Sequence, residues 1–394
     1  MTIKQQELNL RMDKFRNKMN QTYPTWELAC ITSDMNLYYF TGTIQRGMLM
    51  ISRNGKAVFW VRKSMERAHT ESEFEDIRPM NSFRTAIAAY PDLPNTIYLE
   101  KNISTLQWYD MFSKYFKFET IIGIDRLLQT VRAVKTDYEI DLQKIAGEKH
   151  RILLEEKVPL MLRDGISEAE LAGEIFLEAL KMGHQGLSRF SGNNGDMYMG
   201  YVAFSESGLN PTNFDGPGGT AGICPAAPVL GSNSRKLKKG DIVFVDFGIG
   251  IDGYSTDKTQ LYSFGKMPDG IVTETYEQCL EIMQKTAAKM IPGNIPSVIY
   301  EEIMHEIPKE FQYGFMGYKD RTVKFLGHGI GLHIDEYPVI AKGFDEPFEK
   351  NMVLAIEPKR GIENYGIIGT EETFLIGETR ANCLTAKQSR LILV

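Results

Sequence analysis

Apolar and polar positions recur at helical spacing from Gln6 to Met19, which predicts an amphipathic surface helix near the start of the chain. Short runs rich in β-branched and aromatic residues follow at Glu27–Ile31, Met48–Ile51, Ala57–Val61 and Thr96–Leu99, and each predicts a strand. Leu106–Tyr115 reads as a helix, so the first part of the chain is expected to form an α/β domain of about 130 residues. Thr136 with Glu139, and Ser167 with Glu170, have the spacing of capping boxes and predict two helix starts. The first of these helices is expected to run to about Leu162, and the second to stop at Gly183. The domain boundary falls just ahead of the first box and divides the chain into residues 1–134 and 135–394.

The pattern changes at Ile242. Ile242–Phe247 is an apolar run, Asp252-Gly253 is a hairpin turn signal, and Tyr254–Phe264 returns as a second strand. A loop at Ile251-Asp252 puts Asp246 and Asp257 directly opposite each other. A loop at Asp252-Gly253 puts Asp257 opposite Gly248, still on the face of Asp246. Two like charges buried on one face need a cation between them. Gly248–Gly253 matches GxGxxG, but a strand follows where a dinucleotide requires a helix N-terminus. Asp246-Phe247-Gly248 lacks the other segments of a kinase.

Helical patterns at Thr273–Met290 and Val298–Ile307 lead into the C-terminal third. There, His328 stands among glycines in Gly327-His-Gly-Ile-Gly331, where backbone can approach a ligand closely. Met352–Glu357 is an apolar strand ending in a carboxylate before Pro358. Gly366–Ile376 reads as another strand that carries Glu371 and Glu372 on opposite faces, so only one can point inward. Four carboxylates and one imidazole suit a pair of divalent ions such as Mn, Fe, Co or Zn. Two such ions, about 3.5–4 Å apart, would share carboxylates and hold a hydroxide between them.

The composition narrows the function classes. The 394 residues carry a net charge of −6 with no basic block, which argues against nucleic acid as a partner. No run of 18 or more apolar residues could span a membrane, and the N-terminal stretch lacks the apolar centre of a signal peptide, so a cytoplasmic protein is expected. Cys30, Cys224, Cys279 and Cys383 are scattered without a CxxC pair, as reduced structural thiols would be. Gly192–Asn233, rich in Gly, Asn and Pro, reads as ordered loops around a cleft.

Together these segments resemble the pita-bread metallohydrolases, the group of methionine aminopeptidase, aminopeptidase P, prolidase and creatinase. The resemblance covers nearly the whole chain and points to the two-domain branch. It implies an α+β fold, with a C-terminal pita-bread domain preceded by an N-terminal α/β creatinase-like domain. It also implies metal ligands: Asp246 as the chelating aspartate, Asp257 as the bridging one, His328 as the single imidazole, and Glu371 as the second bridging carboxylate. Glu357 would bind one metal and accept the nucleophile's proton. The implied cofactors are two divalent ions per chain, manganese first, with cobalt, iron or zinc as alternatives. The implied chemistry is Xaa-Pro aminopeptidase or dipeptidase action by a metal-bridging hydroxide, in a homodimer, on a short peptide.

Three positions depart from that pattern. Val229 stands where an upstream histidine is usual, Asp335 replaces the second histidine of x-x-His-Glu-x-Pro, and Gly369 replaces an arginine two residues before Glu371. Asp335 and His333 are therefore candidate catalytic residues: in an extended segment both would face one side. The departures open two alternatives, a creatinase-like hydrolase or lyase for a small non-peptide substrate, and an inactive binding module.

Overall fold

The computed structural model of the chain describes residues 2–191, 196–212 and 214–394. The chain divides into two compact units, Met1–Arg132 and Ala133–Val394, two residues ahead of the boundary expected from the capping box. Residues 192–195 and 213 of the glycine-rich segment lie outside the described residues.

In the first unit, the helix Gln5–Thr22 buries Leu8, Met12, Phe15 and Met19, which recur every three or four residues along one face. Six strands form the sheet: β1 Leu28–Ile31, β2 Gly47–Ser52, β3 Ala57–Val61, β4 Ile77–Pro79, β5 Thr96–Leu99 and β6 Thr120–Gly123. Their order is β4-β3-β2-β1-β5-β6. The sequence pattern does not reveal β4, which has only three residues and ends in proline, or β6, a short edge strand that is nowhere fully buried. The buried Glu100 carboxylate accepts from the Thr32 and Ser33 backbone amides at 2.6 and 2.9 Å, a structural task.

In the second unit, Thr136 and Ser167 form complete capping boxes at the starts of Asp137–Arg151 and Glu168–Lys181. The first helix continues beyond Arg151 with altered hydrogen bonding, as a π-helical segment Ile152–Lys157 and a 3-10 turn Val158–Leu160. The expected α-helix to Leu162 is thus shorter. Gly183, at φ 94°, closes the second helix in the left-handed region.

Ile242–Ile251 and Tyr254–Ser263 form an antiparallel hairpin, with Gly200–Phe204 on the far side of the first strand. Asp252 and Gly253 have φ of 45° and 93°, the paired positive values of a tight hairpin turn. The register pairs Gly248 with Asp257 and Asp246 with Thr259, which selects the second of the two loop placements. Val243, Val245, Phe247 and Ile249 pack towards Leu171 and Ile175, while Ile242 and Phe244 pack with Leu261 and Val272. Burial on both faces explains why this strand reads as an unbroken apolar run.

Two further sheets exchange chain at the site. Val353–Ile356 and Glu372–Ile376 lie side by side in a five-stranded sheet, and Lys359–Ile362 and Gly366–Gly369 lie side by side in a four-stranded one. The stretch Gly366–Ile376 is therefore two strands rather than the single one expected. Glu357-Pro358 and Thr370-Glu371 are the two crossings. Pro358 has no N–H to continue a ladder, and the Thr259 amide donates to the Glu371 carbonyl at 3.2 Å, tying the hairpin to the second crossing.

Candidate metal centre

The hairpin supplies two of the site's side chains. Asp246 and Asp257 lie on one face, and the next residue, Lys258, points to the opposite side, where its ammonium meets Glu372 at 2.5 Å. Glu372 also accepts from Thr385 Oγ1 and Ser389 Oγ at 2.6 and 2.7 Å. Glu371, one residue earlier, faces the aspartates and accepts from Thr259 Oγ1 at 3.0 Å. His328 comes from the short strand Gly327–Gly329, held between Glu336–Val339 and Val353–Ile356. Its glycine neighbours are required by close backbone: a Cβ at Gly327 would lie 2.2 Å from the Ala355 carbonyl oxygen, and one at Gly329 2.5 Å from that of Tyr337.

His328 Nε2 lies 3.4 Å from Glu357 Oε1 and 3.8 Å from Glu371 Oε1. Asp257, His328 and Glu371 each present a ligand atom within 4.8 Å of the others, a grouping able to hold a metal ion. Asp246 and Glu357 line the same cavity as these three, so the five residues that the sequence motifs single out share one site.

It also brings in a sixth that the motifs do not. Lys359 Nζ sits 3.1 Å from Asp246 Oδ2, 2.8 Å from Glu357 Oε2 and 2.6 Å from Glu371 Oε2, with its side chain fully buried. The available signal was its place two residues after Glu357, on the same side of an extended chain, beside the glycine that replaces arginine at position 369. Lys359 and Gly369 are direct neighbours across their strands.

The electrostatics reflect this crowding. Burial, reinforced by the Asp246 charge, pushes the Asp257 carboxyl up to about 8. Burial also raises Glu371 well above the usual carboxylate range, with Asp257 adding to it. Glu357 is buried too, yet the charges of Lys359 and His328 hold it down at about 2. Burial works against the His328 cation, but Glu357, Glu371 and Asp257 outweigh it and lift the imidazole to about 10. Lys359, opposed only by burial, is held firmly as ammonium by Asp246, Glu357 and Glu371. Four ionised carboxylates would outnumber the two cations, Lys359 and His328, and the raised Asp257 and Glu371 carboxyls reflect that shortage.

With Lys359 buried behind them, Asp246, Asp257, His328, Glu357 and Glu371 form the floor of a cavity of about 320 Å³. Its apolar wall includes Met199, Phe325, Ile334 and the stacked pair Phe190 and Phe214, whose ring centres are 4.4 Å apart. Asp215 and Asp335 add carboxylates to the lining, and among the described residues no lysine or arginine lines it. Asp335 is held by Ser191, whose amide donates to Oδ1 at 2.8 Å and whose hydroxyl donates to Oδ2 at 3.3 Å. Burial raises its carboxyl, with the Ser191 amide acting against it. His333 does not line the cavity. The chain is bent rather than extended at 331–335, and the His333 amide donates to Glu336 Oε1 at 2.8 Å, with the ring Nδ1 3.8 Å from that oxygen. The expected pairing of His333 with Asp335 on one side is thus replaced by Asp335 alone. Val229 packs against the apolar cluster around Phe244 and Ile367.

Known proteins share this organisation. Residues 141–378 match the model of metallopeptidase family M24, and residues 11–134 that of the creatinase/prolidase N-terminal domain. An Xaa-Pro dipeptidase of Pyrococcus furiosus is 25% identical over 366 residues, covering 92% of this chain and 94% of its own length. The crystal structure of the prolidase from Pyrococcus horikoshii OT3 matches 98% of this chain and 100% of its own, with a TM-score of 0.79 at 20% identity. The N-terminal domain of the FACT complex subunit SPT16 from chickpea has the same fold, with a TM-score of 0.74 over 98% of each chain at 14% identity.

Proposed function

The chain belongs to metallopeptidase family M24 and carries a creatinase/prolidase N-terminal domain; from that premise we propose that it is a metal-dependent hydrolase of short Xaa-Pro-type peptides. The observation that carries this reading is the convergence of Asp257, His328 and Glu371, with Glu357 beside them, on the floor of one cavity. A divalent ion held there, manganese first among the candidates, would supply Lewis-acid polarisation of the scissile carbonyl and acidify a water.

The chain's own residues account for the rest of the chemistry. Glu357, whose Oε1 lies beside the ligand imidazole, is placed to take a proton from the attacking water and return it to the leaving amine. Lys359 fixes the orientation of Glu357 and Glu371 through one oxygen of each. Phe190 and Phe214 offer an apolar wall suited to a proline ring. Asp335, immobilised by Ser191, is placed to accept from a substrate ammonium group. With no lysine or arginine among the described lining residues to hold a free carboxylate, substrates that extend beyond the proline are favoured, an aminopeptidase mode over a dipeptidase one.

The same acidic lining favours one second reading, a small cationic or zwitterionic amide as substrate. An inactive binding module is disfavoured by the acid cluster, since four buried carboxylates without enough positive charge are costly. Four unpaired cysteines among the described residues support a reducing, cytoplasmic setting, and no described helix is long and apolar enough to cross a membrane. The homodimer implied by the resemblance is part of this proposal and is read by light scattering. The experiment for function is a screen of Mn(II)-reconstituted protein against Xaa-Pro dipeptides, Xaa-Pro-Xaa tripeptides and amidino or zwitterionic amides. Turnover of the tripeptides supports the proposal; turnover of the non-peptide amides alone moves it to the second reading.

A further inference from the structure

The two glutamates of the site divide their oxygens. Glu357 Oε2 and Glu371 Oε2 face Lys359 Nζ at 2.8 and 2.6 Å, whereas Oε1 of each faces His328 Nε2 at 3.4 and 3.8 Å. Asp246 turns Oδ2 to Lys359 at 3.1 Å and is not part of the Asp257, His328 and Glu371 grouping. The carboxylates therefore frame two cation positions, one beside His328 and one occupied by an ammonium group.

We infer that Lys359 Nζ permanently takes the place of one of the two cations for which the carboxylates are arranged, so that this chain holds a single divalent ion, on the His328 side. The inference rests on the proposed metal dependence. Carboxylate oxygens bind such an ion at about 2.0–2.2 Å. An ion on Asp246 and Glu371 Oε2 would share those oxygens with an ammonium already within hydrogen-bonding distance, and two cations would crowd a space fit for one. The ammonium cannot simply withdraw. Its stem lies on the strand Lys359–Ile362, fully buried, and leaving its three carboxylates would strand a buried charge. Gly369 keeps that arrangement: a Cβ there would meet Lys359 Cα at 2.6 Å and Cγ at 3.0 Å.

In this role Lys359 is a positioning residue, holding Glu357 and Glu371 in the orientation that serves the remaining ion. The test counts ions. Wild-type protein, Lys359→Gly and Asp246→Asn are stripped with chelator and dialysed against excess Mn(II), and metal per chain is measured by elemental analysis. About one ion is expected in the wild type, about two in Lys359→Gly, and about one in Asp246→Asn, because Asp246 serves the ammonium. If Lys359→Gly does not fold, the other two counts still decide. Two ions in the wild type, or loss of the ion in Asp246→Asn, would overturn the inference and leave the metal-dependent reading intact. No ion in any of the three would overturn both.

Discussion

Glu371 and Glu372 are adjacent in the chain and serve opposite sides of it: Glu371 Oε2 lies 2.6 Å from Lys359 Nζ, and Glu372 Oε1 lies 2.5 Å from Lys258 Nζ. Substitution should separate the two roles. Glu371→Gln should lose bound metal. Glu372→Gln should keep it but lose about 3–5 kcal/mol of stability, because Lys258 is left buried with a weakened partner. Metal content and denaturant unfolding of both variants check this, and metal loss from Glu372→Gln alone would reverse the assignment.

Lys359 and Gly369 make a second pair whose geometry is restrictive. Besides meeting Lys359, a Cβ at 369 would lie 2.3 Å from the Pro358 carbonyl oxygen, so the strands must shift to admit even alanine. Gly369→Ala is expected to cost about 1–3 kcal/mol. Gly369→Arg, which restores the arginine of the resembled motif, should be destabilising for the same reason. Combined with Lys359→Gly it should recover part of that loss, since the lysine stem no longer competes. A double-mutant cycle in urea measures the coupling.

The pH dependence of stability should carry the mark of His150. This imidazole is fully buried, with Nδ1 3.1 Å from Thr256 Oγ1, and burial, aided by the nearby Lys258 charge, lowers its pKa well below the usual value. The folded value lies below the unfolded one of about 6.5, so the unfolded chain binds the extra proton on acidification. The contribution is complete above about pH 6.5 and falls below it by up to about 1.4 kcal/mol per pH unit. Replacing His150 with Gln should flatten the stability curve between pH 6.5 and 5 relative to wild type; parallel curves would count against it.

Asp335 should act on substrate choice rather than on metal content. It lines the cavity and is fixed by Ser191, but lies outside the Asp257, His328 and Glu371 grouping. Asp335→Ala and Asp335→His should lower kcat/KM for substrates with a free ammonium group by about tenfold or more, equivalent to about 1.4 kcal/mol. Neutral, N-blocked substrates should change little. Equal effects on both classes would show that Asp335 only shapes the loop.

Much of this site is legible in the sequence because strand chemistry is periodic. Alternation places Asp246 and Asp257 on one face whichever loop closes the hairpin, and it separates Glu371 from Glu372. The capping boxes at Thr136 and Ser167 mark helix starts because they are local, self-contained hydrogen-bond patterns. The crossings between sheets are harder to read. The polar run Thr370–Thr373 interrupts the apolar pattern of Gly366–Ile376, but carboxylates carried on one strand would read the same way, and only tertiary pairing shows two strands. Lys359 escapes for a related reason. A lysine in a strand ordinarily signals a solvated face, and its burial depends on three carboxylates brought from the middle of one strand and from the ends of two others. An extended backbone would set His333 beside Asp335, and the bend at 331–335 removes that basis.

The central claim is that Asp257, His328 and Glu371 hold a metal ion that drives amide hydrolysis, and one comparison tests it most directly. Release of the N-terminal residue from an Xaa-Pro-Xaa peptide is followed with chelator-stripped protein, the same protein given Mn(II), and His328→Ala given Mn(II). Hydrolysis should be absent without metal, appear on its addition, and fail to return in His328→Ala. Equal rates with and without chelator, or full activity in His328→Ala, would contradict the account.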